Sequence, residues 1–126
     1  MYIYLITLCI KTMAYKTLVA ASTKPLVLSI LSYGKSYGYQ IIKNIEQLSN
    51  GELEWTDAML YPVLHRMEKD GLIASEWIVL DNGRKRKYYS ITESGKEERE
   101  MAKAQWNNVN MAFNRLWKGN LTLDLG

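Results

Sequence analysis

The sequence predicts a mainly α-helical chain with one small β-hairpin: three short helices, a two-stranded ribbon and a long last helix. Three observations carry that prediction. Apolar residues recur at helical spacing in three stretches between Leu26 and Met67. The pattern then changes to a run rich in Trp, Ile and Val, closed by the turn signal Asp81-Asn82-Gly83. Helical spacing resumes after Thr92 and continues to Leu116.

Each element has its own signals. Leu26, Val27, Ile30 and Leu31 form a helical stripe behind Pro25, which suits a helix's first turn, and Gly34 ends it. Ser36 is placed to cap a second helix carrying Ile41, Ile42, Ile45 and Leu48, and Asn50-Gly51 closes it. Thr56 is placed to cap a third, with Leu60, Val63, Leu64 and Met67 inward and Gly71 just past its end. Pro62 lies too far in for a first-turn proline, so this helix either starts later or has an irregular first turn. Ile73 to Leu80 reads as a strand and Lys87 to Thr92 as its return, with Tyr89 and Ile91 on one face and Tyr88 and Ser90 on the other. Thr92 then caps the last helix, with Glu93, Glu97 and Glu98 near its positive end. Three helices followed by a ribbon is the order of a winged helix-turn-helix, here with a long C-terminal dimerisation helix added. The expected organisation is an N-terminal arm over 1–14, a winged helix-turn-helix over 15–92, a dimerisation helix over 93–118 and a flexible tail over 119–126.

Composition narrows the function. With 126 residues, 48% of them apolar and 23% charged, the chain has the size and balance of one folded domain. One cysteine and one histidine exclude a disulfide framework, a thiolate zinc site and a His-pair metal site, and no cofactor is expected. There is no nucleophile–base pair and no phosphate-cradling glycine loop, so the chain does not read as an enzyme. The single cysteine fits a reducing compartment, hence the cytoplasm. Met1 to Ile10 is apolar, but half the length of a membrane span and without the basic flank of a signal peptide. Because Met13 opens a more ordinary run, residues 1–12 read as an upstream start or as a β-prone arm; Cys9 in this stretch is assigned no chemistry.

The net charge of +3 is mild, but its distribution is uneven. Residues 51–80 hold six acids against two bases, whereas 81–92 hold Arg84, Lys85, Arg86 and Lys87 against Asp81 alone. A dense basic cluster at a hairpin tip suits phosphate contact. On a helical wheel, the third helix buries Leu60, Val63, Leu64 and Met67 and turns Ala58, Tyr61, Pro62, His65 and Lys69 outward, with Arg66 at the edge. A buried back and a polar or small front is what a helix in a major groove needs. Helix and wing together point to duplex DNA.

The run from Leu60 to Ile73 (LYPVLHRMEKDGLI) resembles the signature of PadR-type transcriptional regulators. Gly83 to Thr92 (GRKRKYYSIT) resembles their wing, and Tyr37 to Ile42 (YGYQII) their second helix. The resemblance covers about residues 24–118 and places the chain with the smaller branch, which has a single C-terminal helix. It implies a homodimeric winged-helix repressor on a palindromic operator, released in some members by a small aromatic compound. It also implies that Tyr39, Tyr61 and His65 face DNA, with Arg84 and Arg86 from the wing. Thr56, Arg66, Lys69, Lys85 and Lys87 complete the expected DNA-facing set. Members often carry glycine where this chain has Ala58, and the preceding Asp57 would repel phosphate unless it caps the helix or meets a base.

In the last helix, Ala102, Trp106, Val109, Phe113 and Leu116 are spaced 4-3-4-3, the seam of a short coiled coil and the expected dimer interface. By resemblance Trp106 lines an apolar site at the dimer centre, where paired rings could sandwich a flat aromatic effector and Asn107, Asn108 or Asn110 could hydrogen-bond to it. Trp106 and Asn110 are the expected effector residues, while Trp55, Trp77 and Trp117 read as packing residues. The competing reading is a winged-helix module that binds protein and no operator.

Overall fold

The computed structural model describes the backbone of residues 2–119 and 121–126, and the side chains of residues 17–119 and 121–126. Six elements follow one another: α1 (Tyr2–Leu31), α2 (Gly38–Leu48), α3 (Asp57–Lys69), β1 (Ile73–Val79), β2 (Lys85–Ile91) and α4 (Glu93–Trp117). The chain is mainly α with one antiparallel hairpin, as expected.

The first helix differs most from expectation. It does not begin at Pro25 but runs 30 residues from Tyr2, with Pro25 inside it. The boundary expected at residue 14 falls within this helix, and the backbone of the supposed β-prone arm is helical. No glycine or proline lies between Tyr2 and Lys24, so strand propensity alone cannot interrupt the helix. Pro25 removes one N–H from the ladder. One turn earlier, the hydroxyls of Ser22 and Thr23 donate to the Val19 carbonyl at 2.8 and 3.0 Å. The Cys9 side chain, and whether residues 1–12 meet a partner, lie outside the described residues.

The core joins Val27, Leu28 and Leu31 of α1 to Ile41 and Ile45 of α2, Leu60, Leu64 and Met67 of α3, and Ile73 and Tyr89 of the hairpin. Two expectations in α2 are corrected. Leu48 is exposed, because α2 ends there beyond the core's edge. Tyr37, not Ser36, is the N-cap, and its side chain makes no capping bond. Ser36 is committed elsewhere: its N–H donates to the Tyr89 carbonyl at 3.1 Å and its carbonyl accepts from the Tyr89 N–H at 2.7 Å.

Thr56 caps α3, its Oγ1 accepting from the Met59 N–H at 3.3 Å. Asp57 occupies the first turn, where the helix dipole favours a carboxylate, and is not the cap. Pro62 is accommodated inside a helix that does begin at Asp57; the first turn is tightened, with the Thr56 carbonyl accepting from both Met59 at 3.1 Å and Leu60 at 3.0 Å. The hairpin pairs Ile73 with Ile91 through to Val79 with Lys85, so the return strand starts two residues earlier than expected.

Thr92 is the hinge point of the topology. Its N–H donates to the Leu72 carbonyl at 3.1 Å, its hydroxyl donates to the Gly71 carbonyl at 2.6 Å, and the same oxygen accepts from the Gly95 N–H at 3.1 Å. Gly95 is buried in the first turn of α4, where a Cβ would collide with the Leu72 carbonyl oxygen and meet Ile91 at 2.7 Å. The first half of α4 then lies along α1, joined by Lys24–Glu98 at 2.9 Å. Among the described residues no helix is long and apolar enough to cross a membrane.

A methyl group at Gly95 has no flexible neighbour to displace. Gly95→Ala is therefore expected to cost about 2 kcal/mol through overpacking. Thermal unfolding would check it, and a melting temperature equal to the parent's would contradict the packing described.

Candidate nucleic-acid interface

The start of α2, the outer face of α3 and the hairpin together bound one groove of about 550 Å³. Tyr37, Gly38 and Tyr39 line it from α2, Tyr61 and His65 from α3, and Trp77, Lys85, Arg86, Lys87 and Tyr89 from the hairpin. Of the ten expected DNA-facing residues, six meet here: Tyr39, Tyr61, His65, Lys85, Arg86 and Lys87. Thr56, Arg66, Lys69 and Arg84 do not line it. Thr56 is used as a cap, while Arg66 and Lys69 are exposed in the last turn of α3. Gly38 sets the close approach of α2 and α3, since a Cβ there would stand 2.6 Å from the Tyr61 hydroxyl and push that ring out of the groove.

The four wing cations divide into two pairs. Arg84 and Lys85 are exposed at the tip, held there by a turn in which the Leu80 N–H donates to the Arg84 carbonyl at 2.7 Å and the Arg84 N–H to Asn82 Oδ1 at 3.0 Å. Gly83 makes the turn at φ 82°, a conformation that favours glycine. Arg86 and Lys87 are instead embedded among rings. The Arg86 guanidinium lies 3.9 Å over the Tyr37 ring and donates to the Tyr88 hydroxyl at 3.4 Å. That hydrogen bond leads the causes that raise its pKa. Tyr37 and Tyr88 meet edge to face at 5.4 Å, completing the cluster. Lys87 Nζ lies 3.8 Å from Glu68, with the Tyr89 ring at 5.5 Å and the Trp77 ring at 5.9 Å. Coulombic attraction thus seats the wing's base, leaving the tip free to meet an anion.

A second concavity, of about 430 Å³, lies between α1 and α4. Leu18, Val19, Pro25 and Leu26 face Ala102, Trp106 and Asn107 across it, with Arg99 and Lys103 at the side. Trp106 stands in this cleft and Asn110 does not line it. Beyond the cleft, Val109, Phe113 and Leu116 are about half exposed, so the seam they form is not covered by the chain's own domain. Trp55 is buried, as a packing residue should be. Trp77 and Trp117, at 65% and 75% exposure, are not. Trp117 stacks on Phe113 at 4.9 Å on the surface of α4, and Trp77 lines the groove. Tyr37 and Trp77 line the groove without belonging to the expected DNA-facing set. Counting outward from the Asp81-Asn82-Gly83 turn places Trp77 opposite Lys87, and that register was the available signal.

A helix-turn-helix pair packed on a third helix, with a hairpin wing beside its exposed helix, defines a winged-helix protein. Residues 27–101 match the family described as the transcriptional regulator PadR-like family, and the chain belongs to it. It is similar to an uncharacterized protein of Lysinibacillus sphaericus, 30% identical over 94 residues that make up 75% of this chain and 86% of the relative. A transcriptional regulator of Mycobacterium tuberculosis is 43% identical over 51 residues, 40% of this chain and 47% of that protein. Among solved structures, a PadR family transcriptional regulator from Eggerthella lenta superposes with a TM-score of 0.74 at 29% identity, covering 92% of this chain and 99% of that one. A PadR-like transcriptional regulator from Bacillus cereus superposes at 0.72 with 30% identity, covering 82% and 99%.

The wing's anchor carries a pH prediction. Burial, followed by the charge of Glu68 and by Tyr61, raises the Tyr89 pKa above that of a free tyrosine. The neutral phenol is thus favoured by folding, so its contribution is complete below about pH 10, the unfolded value, and is lost as pH rises through the higher folded value. Urea titrations at about pH 9 and pH 11 should show a stability loss in the parent that is smaller in Tyr89→Phe. Equal losses in both proteins would rule out Tyr89 as the source.

Proposed function

We propose that this chain is a DNA-binding transcriptional repressor that acts as a homodimer on a palindromic operator in the cytoplasm. The observation that carries the proposal is the groove uniting Tyr39, Tyr61 and His65 with the basic wing. In this reading α3 enters the major groove, where Tyr61 and His65 meet base edges. Arg84 and Lys85 contact the flanking backbone, which fixes orientation and carries no sequence information. Arg66 and Lys69 meet phosphates from the far end of α3. The seam of Ala102, Trp106, Val109, Phe113 and Leu116 pairs with its copy, setting two recognition helices on two half-sites.

The α1–α4 cleft supports an effector site for a small aromatic compound. Its volume of about 430 Å³ suits a small ligand, and it is walled by aliphatic residues with Trp106 40% exposed. Asn107 is better placed than Asn110 to supply the polar contact, because only Asn107 lines the cleft. Such a compound releases DNA only if it binds the DNA-incompetent arrangement more tightly. The proposed role is regulatory, with no enzymatic activity.

If a dimer makes about eight phosphate contacts, log affinity for duplex DNA should fall against log salt with a slope of about −7. Replacing Arg84 and Lys85 by Ala in both subunits should weaken binding uniformly across sequences and make the slope about 4 shallower. Fluorescence anisotropy across a salt series measures both. A parent slope near zero would contradict DNA binding and favour a protein partner.

A further inference from the structure

The wing holds one large aromatic side chain that the fold leaves uncovered on the groove side. Along one face of β1, Ile73 is buried, Ser75 is half-buried, and Trp77 and Val79 are exposed. The hairpin has by then run out past the core, so Trp77 sits at 65% exposure with no packing role that its size would justify. Its neighbours are polar. Trp77 stands directly across from Lys87 and Val79 from Lys85, placing both cations on the same side of the ribbon as the indole. Lys87 Nζ lies 5.9 Å from the ring centroid, and the same groove is lined by Tyr61 and His65 of α3.

From this juxtaposition we propose that Trp77 is a direct DNA contact of the wing, its ring lying on the deoxyribose of the strand that Lys85 engages and its indole N–H donating to a phosphate oxygen. The inference rests on the DNA-binding reading above. An indole offers an apolar face and a single donor with no acceptor. A sugar–phosphate strand offers the complement, C–H surface beside oxygen acceptors, and most protein–DNA hydrogen bonds go to sugar and phosphate. Trp77 differs from the wing cations in one measurable way. It is neutral, so it releases no counterion and its share of the affinity is independent of salt.

The test is anisotropy of the full chain with a fluorescently labelled, mixed-sequence duplex of about 30 base pairs, across a salt series, with sedimentation to report association state. Trp77→Ala should weaken binding about tenfold per subunit, hence about a hundredfold for the dimer, with the parent's salt slope, the loss expected for one hydrogen bond to a charged group and its stacked surface on each half-site. Trp77→Phe, which keeps a ring and loses the donor, should fall between the two, and Arg84→Ala should instead make the slope shallower. The melting temperature of Trp77→Ala should match the parent's, because the side chain is exposed. Parent-like affinity in Trp77→Ala would overturn the proposal, as would a shallower slope. Loss of self-association in that variant would reassign Trp77 to a subunit contact and also overturn it. A parent that binds no duplex would overturn both this inference and the DNA-binding reading, whereas a binding parent with an indifferent Trp77→Ala overturns this inference alone.

Discussion

Two hydrogen bonds between Ser36 and Tyr89 tie the hairpin to the helical body, and the groove exists because of them. A two-stranded ribbon alone is marginal in water. Here its return strand gains a second pairing partner in the segment ahead of α2, and the Tyr89 ring is buried. The neighbouring residues repeat the arrangement with side chains, as Arg86 lies on Tyr37 and Tyr88 meets Tyr37 edge to face. Tyr37 is also the N-cap of α2. The position of the wing and the start of α2 are therefore one structural fact, and the distance between wing tip and α3 follows from it.

The second constraint lies three residues beyond Tyr89. Thr92 ends the wing, caps α4 and bonds to the residues that follow α3. Gly95 lets α4 leave this junction pressed against the Leu72 carbonyl. The groove and the α1–α4 cleft are thus joined through the contacts of Thr92 and Gly95. Under the proposed function, a compound seated beside Trp106 acts on DNA affinity through this junction, by changing how α4 leaves Thr92 and so the spacing of the paired α3 helices. The coupling needs two arrangements of the dimer that differ in affinity for the compound.

Much of this was legible in the sequence, and the reasons are local. Thr56 and Thr92 cap helices because a side-chain oxygen followed by a helical stripe has few other uses, and both do so. Gly71 ends α3 at φ 78°, as its position implied. The basic run after Asp81-Asn82-Gly83 marked the wing without any knowledge of packing. What could not be read depended on distant partners. Ser36 had the chemistry of a cap, but its backbone is claimed by Tyr89, 53 residues later. Pro25 carried the signal of a helix start, yet the uninterrupted chain before it continues the helix. For Trp77 the turn gives the register opposite Lys87, but where the core ends along β1, and hence that the ring is left exposed in the groove, depends on the packing of the helices.

Operator recognition by α3 is tested by recovering genomic DNA fragments with the purified protein and sequencing them after capture at two salt concentrations. Operator recognition by paired α3 helices requires enrichment of a palindromic site whose half-sites lie about one helical turn apart, with enrichment surviving at the higher salt. Capture of fragments with no preferred sequence, lost at the higher salt, would mean electrostatic affinity only and would contradict operator recognition by α3.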